Sequence, residues 1–247
     1  MRYNNDMDSK VFDRIEKKCL ITKEQKKELL KTIKKHMKKD GYFKSEVLNL
    51  YLDTDNLDLI IQSIDQPIFK EKLRARSYGG YDRVFLEIKT KLRGKDNNVG
   101  YKRRIMITHE DFQELINKKT TLLELMYQAK KTGNDLQIAK EMDYLIEHFN
   151  LKPKILVLYN RESYQGENSL RITFDENLKY RTDNLSLNKT KRDKIYFEDK
   201  QNIILEIKAQ GVLPLWLVEL LTKNRVFPQQ FSKVGKIYQK IRKETNV

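Results

Sequence analysis

Residues 69–92 read FKEKLRARSYGGYDRVFLEIKTKL, two strand-like runs around Gly79-Gly80, a strong hairpin signal. Residues two apart in a strand share a face. That spacing aligns Lys72, Arg74 and Arg76 on the first arm and Glu87, Lys89 and Lys91 on the second, with Val84, Leu86 and Ile88 turned the other way. A face carrying mostly cations and one carboxylate is the wall of an anion site. The same spacing recurs along the chain: Arg14, Glu16 and Lys18; Lys102 and Arg104; Tyr159 and Arg161; Arg171, Thr173 and Asp175; Glu206 and Lys208. A glutamate precedes a lysine by two positions at Glu16/Lys18, Glu87/Lys89 and Glu206/Lys208. Any one such pair is most simply a solvent-facing same-side pair; the repetition gives it weight.

Arginine grips phosphate oxygens with a planar fork and lysine acts as a point charge. Carboxylates set among such cations bind a divalent metal through oxygen. Together these describe a site for a metal-bound polyphosphate chain. Repeated on many antiparallel strands, the pattern suggests a closed barrel with a charged interior and helices covering its apolar outside. Buried unpaired charges are costly, so such an interior must hold water and anions.

The strands that present these residues are read at Phe12–Ile21, Ser45–Asp53, the two hairpin arms, Val99–Thr108, Lys154–Tyr164 and Ser169–Asn177, with a last pair at Lys194–Phe197 and Ile203–Lys208. Thr22 with Gln25 opens a helix that buries Leu29, Leu30, Ile33 and Met37, and Gly41 is read as its end. Thr54 is read as the cap of a short helix through Leu59, Ile60 and Ile64. Thr108 with Asp111 opens a helical stretch to about Asn150, broken near Gly133; Pro214 sits early in a helix to Asn224, and the tail from Phe231 ends as a helix. The fold class is α+β, one domain over 1–247 with a helical insertion at about 109–150.

The chain has 247 residues and a formal net charge of +15, which favours polyanionic partners. One cysteine, Cys19, excludes an internal disulfide and fits a reducing compartment. The first ten residues hold no apolar signal segment, and the run around Leu213–Leu221 is too short to span a bilayer, so a cytoplasmic protein without a membrane span of its own is expected.

Over nearly its whole length the chain resembles the VTC (vacuolar transporter chaperone) domain, a polyphosphate polymerase of the triphosphate tunnel metalloenzyme or CYTH-like superfamily. The likeness rests on RIEKK at 14–18, YLDT at 51–54, KLRARSY at 72–78, FLEIKTK at 85–91, KRR at 102–104, YNRESY at 159–164, LRITFDENLKYR at 170–181, ILEIK at 204–208 and FSK at 231–233. It implies an eight-stranded antiparallel tunnel that binds ATP and a growing inorganic polyphosphate. Its basic catalytic and phosphate-binding residues carry over to Lys18, Arg74, Arg76, Lys89, Lys102, Arg161, Arg171 and Lys233, and its metal-binding glutamate to Glu206. Arg104, Lys208 and Ser232 join the phosphate-binding set, and Glu16 or Glu87 are further metal candidates. The implied cofactor is Mn²⁺ or Mg²⁺, and a membrane protein partner is a further implication. The CYTH Glu-x-Glu-x-Lys signature stands here as Arg14-x-Glu16-x-Lys18, which disfavours the hydrolase or cyclase members that place metals on that strand and leaves the VTC-like reading intact.

Two other activities use the same residues: a tunnel triphosphatase that attacks with water, and a non-catalytic polyphosphate-binding module. Retention of Glu206 favours an enzyme, because a pure anion binder gains nothing from a carboxylate among its cations. Nucleic acid is not an expected partner, since the strand aromatics do not sit consistently on the cationic faces. His36, His109 and His148 lack zinc-ligand spacing, Cys19 alternates into the core, Trp216 packs a helix, and no Walker or Rossmann glycine pattern is present.

Overall fold

The computed structural model describes residues 14–65, 68–79, 82–93, 98–187, 193–197 and 202–245. Phe12, Asp13 and Gly80, which the strand and turn readings include, lie outside these residues. In chain order the elements are β1 (Arg14–Ile21), α1 (Lys23–His36), β2 (Lys38–Asp53), α2 (Asp58–Ile64), β3 (Phe69–Tyr78), β4 (Val84–Arg93), β5 (Asn98–Ile107), α3 (His109–Ile116), α4 (Leu122–Gln128), α5 (Asn134–His148), β6 (Lys152–Gln165), β7 (Arg171–Arg181), β8 (Lys194–Ile195), β9 (Ile203–Gln210), α6 (Leu215–Lys223) and α7 (Lys233–Thr245). The fold is α+β. Eight strands follow the order β1-β9-β7-β6-β2-β3-β4-β5, and the two-residue β8 pairs with β7. The ladders between described residues do not close this path into a ring.

Contacts group the chain into two compact units: Met1–Lys44, Glu162–Asp175 and Gln201–Gln230 form the first, and Ser45–Arg161, Glu176–Lys200 and Phe231–Val247 the second. In the first, β1 pairs antiparallel with β9 so that Lys18 faces Glu206 and Glu16 faces Lys208. The other edge of β9 pairs with β7, setting Arg171 against Lys208 and Thr173 against Glu206. The alternate residues Cys19, Ile172, Phe174, Leu205 and Ile207 join Leu29 and Ile33 of α1 and Leu217 and Leu221 of α6 in one core. The expected alternation is therefore met: one face apolar under helices, the other charged.

Thr22 and Gln25 form the expected capping box at the start of α1. The helix ends at His36 rather than at Gly41. Met37 turns to extended backbone (φ −136°, ψ 149°) while its N–H still bonds Ile33, and β2 begins at Lys38, seven residues before the expected Ser45. Gly41 lies inside that strand.

In the second unit, β2, β3, β4 and β5 form a continuous antiparallel meander, and Leu48, Leu50, Leu52, Leu73, Ala75, Leu86, Ile88 and Ile105 pack one face against Phe112, Leu125 and Met142 of α3, α4 and α5. Arg103, on that helix-facing side of β5, reaches Glu141 of α5 at 2.6 Å. Asp143 accepts the amides of Leu122 and Leu123 at 2.9 and 2.8 Å, satisfying orphan donors at the start of α4. The helical stretch is broken at Gly133, whose φ of +57° suits the residue without a side chain.

The expected Thr54 takes one first-turn amide of α2, that of Asp58 at 3.1 Å, and Asp53, which was not expected there, takes those of Leu59 and Ile60 at 3.0 and 2.9 Å. One local expectation is corrected. The last two strands do not pair with each other: β8 adds to β7, while β9 is sandwiched between β1 and β7.

Candidate functional site

The polar face of β3, β4 and β5 is arranged in cross-strand rows. Lys72, Lys89 and Lys102 stand opposite one another in the first row, and Arg74, Glu87 and Arg104 in the next. Side chains directly opposite in a sheet lie about 5 Å apart at Cβ, and like charges there repel. The register thus sets three lysines side by side. Glu87, 1% exposed, is the anchor beneath it. Its Oε2 accepts from Arg74 Nε at 2.8 Å and lies 2.7 Å from Arg74 Nη2, and its Oε1 lies 2.5 Å from Lys102 Nζ. Arg76 Nε is 3.8 Å away. Burial alone would raise the Glu87 carboxyl, but the charges of Arg74, Arg76 and Lys102 outweigh it and hold it down to about 2. Both oxygens of Glu87 are thus committed to cations, which makes it a holder of arginines.

Sequence reasoning missed the residues of β2 that complete this face. Asn49 Oδ1 accepts from Arg76 Nε at 2.8 Å, and Asn49 Nδ2 donates to the Val157 carbonyl at 3.4 Å, fixing the guanidinium fork. Tyr51 accepts from Arg74 Nη1 at 3.4 Å. Burial pushes the Tyr51 hydroxyl up, yet Arg74 and Lys72 bring it below its ordinary value. Burial likewise opposes the charge on Arg74, but Tyr51, Glu87 and Tyr159 hold its proton more tightly than usual. The signal was available: in SEVLNLYLD, residues 45–53, Leu48, Leu50 and Leu52 alternate with Asn49, Tyr51 and Asp53.

Tyr159 of β6 connects two further predicted residues. Arg161 and Lys233 Nζ lie over its ring at 5.3 and 4.7 Å from the centroid, within cation–π range. Ser232 precedes α7, where its Oγ accepts from Gly235 N at 3.3 Å and from Lys72 Nζ at 3.3 Å. A Cβ at Gly235 would come within 3.2 Å of Ser232 Oγ and 3.3 Å of Ile64 in α2, a close approach. The second unit therefore brings Arg74, Arg76, Lys89, Lys102 and Arg104 onto one face with Glu87, and ties Lys72 to Ser232 and Tyr159 to Arg161 and Lys233.

The polar face of the first unit has a different make-up. Lys18 pairs with Glu16 at 3.2 Å and Lys208 with Glu206 at 3.1 Å, each along its own strand. Glu206 is 7% exposed, while Glu16 is exposed. Arg171 donates to Ser163 Oγ at 3.1 Å and lies 2.8 Å from Asp40, whose carboxylate also accepts from Ser163. Asp40 and Ser163 were not expected at this position.

The oxygen donors here suit a hard divalent ion. Two carboxylates, Glu16 and Glu206, belong to adjacent strands on one face, and the hydroxyl of Thr173, opposite Glu206 in register, is buried with no hydrogen-bond partner. Among the described residues no group of three His, Cys, Asp or Glu side chains is arranged around a metal position. One or two carboxylates, completed by water and phosphate oxygens, are a usual shell for Mg²⁺. Glu87 fits less well, because its oxygens are already shared by Arg74 and Lys102.

An antiparallel sheet with helices packed on its apolar face and charged residues on the other places the protein in the α+β class. The chain belongs to the VTC domain family, whose model matches residues 13–241. A relative is subunit 4 of the vacuolar transporter chaperone complex of Schizosaccharomyces pombe, 25% identical over 144 residues; the match covers 53% of this chain and a fifth (20%) of that protein's length. Among solved structures, the putative adenylyl cyclase HpAC1 from Hippeastrum, reported to have a dominant triphosphatase activity, superposes with a TM-score of 0.54 at 13% identity over 92% of this chain and 96% of that one, a likeness of fold. The PH1819 protein of Pyrococcus horikoshii superposes with a TM-score of 0.47 at 14% identity, over 92% of this chain and 99% of that one.

Proposed function

We propose that this chain is a polyphosphate polymerase-like phosphotransferase, which passes the γ-phosphoryl group of ATP to the end of an inorganic polyphosphate. The observation that carries the reading is the row Lys72–Lys89–Lys102 beside the row Arg74–Glu87–Arg104. Cations packed this closely around one buried carboxylate are stabilised by a ligand with several linked negative charges, and a phosphate chain supplies them at the right density.

In this reading Arg74, Arg76, Arg161 and Arg171 take phosphate oxygens in pairs, and Lys18, Lys89, Lys102, Arg104, Lys208, Ser232 and Lys233 supply further charge or hydrogen bonds. Arg74 and Arg76 arrive pre-oriented, because Glu87, Tyr51 and Asn49 fix their forks. In the transfer, the bond from the γ-phosphorus to the bridging oxygen of ADP breaks as a terminal oxygen of the acceptor chain bonds to that phosphorus. The acceptor is already ionised, so no strong general base is required. The cations neutralise charge on the equatorial and leaving oxygens. Glu206, with Glu16 as a second donor, would hold Mn²⁺ or Mg²⁺, which supplies Lewis-acid polarisation of phosphate oxygens. A cytoplasmic setting suits the free, buried Cys19, and a membrane protein partner is part of this reading, the fission-yeast relative being named as a subunit of a complex.

The triphosphatase activity reported for HpAC1 keeps hydrolysis as a second reading. Incubation with ATP and Mn²⁺ or Mg²⁺, followed by gel electrophoresis and a phosphate assay, separates the two. Metal-dependent chains in the gel support the polymerase. Free orthophosphate without chains supports hydrolysis, and neither product leaves a binding module.

A further inference from the structure

Helix α6, LWLVELLTK, is apolar on more than its buried side. Leu217, Leu220 and Leu221 face the core, yet Leu215 is 72% exposed and Val218, one turn on, is 43% exposed. Val212, just before the helix, is 86% exposed. A helix apolar nearly all round is normally covered, and aliphatic residues clustered in the open mark a contact surface. Glu219 is a carboxylate on the same exposed side.

What lies beside this stripe decides the occupant. Helix α1 runs antiparallel along α6: Gln25 Nε2 donates to the Asn224 carbonyl at 2.9 Å, and at the other end His36 stacks on Trp216 with centroids 4.3 Å apart and planes 8° off parallel. That stack ties the start of α6 to a dense run of lysines. Lys34, Lys35, Lys38 and Lys39 are all exposed, and Asp40, the acidic residue of that stretch, is occupied by Arg171. A protruding aliphatic edge flanked by flexible ammonium groups matches the boundary of an anionic bilayer, where acyl chains take the aliphatic side chains and headgroups take the lysines. A nucleic acid would use the lysines and leave Val212, Leu215 and Val218 without a function.

We infer that the first unit docks on anionic lipid surfaces through the start of α6 and the end of α1. This surface belongs to the first unit and the β3–β5 face to the second, and the inference does not depend on the chemistry proposed for that face. The test is co-sedimentation of the purified chain with phosphatidylcholine vesicles, with and without roughly 30% phosphatidylserine, at about 0.1 M salt. Binding is expected only with the anionic lipid and should weaken as salt rises. The double variant Val212→Ser/Leu215→Ser should reduce binding about tenfold, as should Lys34→Glu/Lys35→Glu. Both pairs are exposed, and a thermal melt checks that each variant stays folded.

Three results would overturn the inference. One is equal sedimentation with neutral vesicles. Another is vesicle binding that survives both double variants or is displaced by tripolyphosphate, which would assign it to the β3–β5 face. The last is tighter binding to duplex DNA that needs the lysines but is indifferent to Val212→Ser/Leu215→Ser.

Discussion

The polar faces of the two units use the same residue types in opposite ways. On β1 and β9 Lys18 pairs with Glu16 and Lys208 with Glu206, each along its own strand. On β3–β5 one carboxylate serves three cations, and a row of lysines stands beside it. In the proposed function the first arrangement supplies oxygen donors to a metal and the second takes the phosphate chain. Counting Glu-x-Lys pairs cannot tell them apart. What differs is whether neighbouring strands add compensating charge or more of the same sign.

The largest effect should follow from breaking the anchor. Glu87→Gln leaves Arg74, Arg76 and Lys102 around a neutral group, and removing one partner of a buried ion cluster typically costs about 3–5 kcal/mol. Urea unfolding should show that loss, and tripolyphosphate should restore more stability to the variant than to the wild type. The equivalent change in the first unit, Glu16→Gln, removes a carboxylate from an exposed pair and should cost under about 1 kcal/mol. Equal costs would erase the distinction between the faces.

Next in size are effects on turnover. Arg74→Lys keeps the charge but loses the fork that spans Glu87 and Tyr51, so ATP turnover and tripolyphosphate affinity should fall together, by about tenfold or more. Glu206→Gln should instead lower metal-dependent turnover at least as strongly while leaving metal-free tripolyphosphate binding unchanged or tighter. Calorimetry without metal, beside turnover with Mn²⁺, reads both; parallel loss in Glu206→Gln would mean that the carboxylate only orients Lys208.

Much of this was legible in the sequence because β-strand alternation is a local property. The faces of 72–76, 84–91, 171–175 and 204–208 follow from period two, and the boxes at Thr22/Gln25 and Thr108/Asp111 from short-range hydrogen bonding. Three things were not legible. The early start of β2 at Lys38 carries the strand through Gly41, whose local turn preference points the other way. The helix cap by Asp53 depends on a local turn in which Leu57, a residue with no intrinsic preference for it, adopts a left-handed conformation. The sharing of Glu87 among Arg74, Arg76 and Lys102 depends on the register of three strands, and local spacing does not reveal register.

A smaller effect concerns acid. The Glu87 carboxyl lies at about 2, against an ordinary value of 4.5. A depressed carboxyl stabilises the fold above its unfolded value and loses that contribution as pH falls through the folded one. Stability supplied by Glu87 should therefore be full above pH 4.5, decline from there toward pH 2 and be gone below it. Melting curves of wild type and Glu87→Gln should differ widely at neutral pH and converge at the acid end. The smallest effects belong to charges away from both faces. Lys131→Ala and Lys140→Ala, exposed near the helices of the second unit, should leave tripolyphosphate affinity within about twofold.

The central claim is that excess charge on β3–β5 is built for a chain of linked phosphates. It is tested most directly by calorimetric titration of the protein with tripolyphosphate and with orthophosphate at matched ionic strength. Tripolyphosphate should bind at least about a hundredfold more tightly, with an affinity that falls steeply as salt rises and that Arg74→Lys weakens. Equal affinities for the two anions, or a tripolyphosphate affinity indifferent to Arg74, would contradict it.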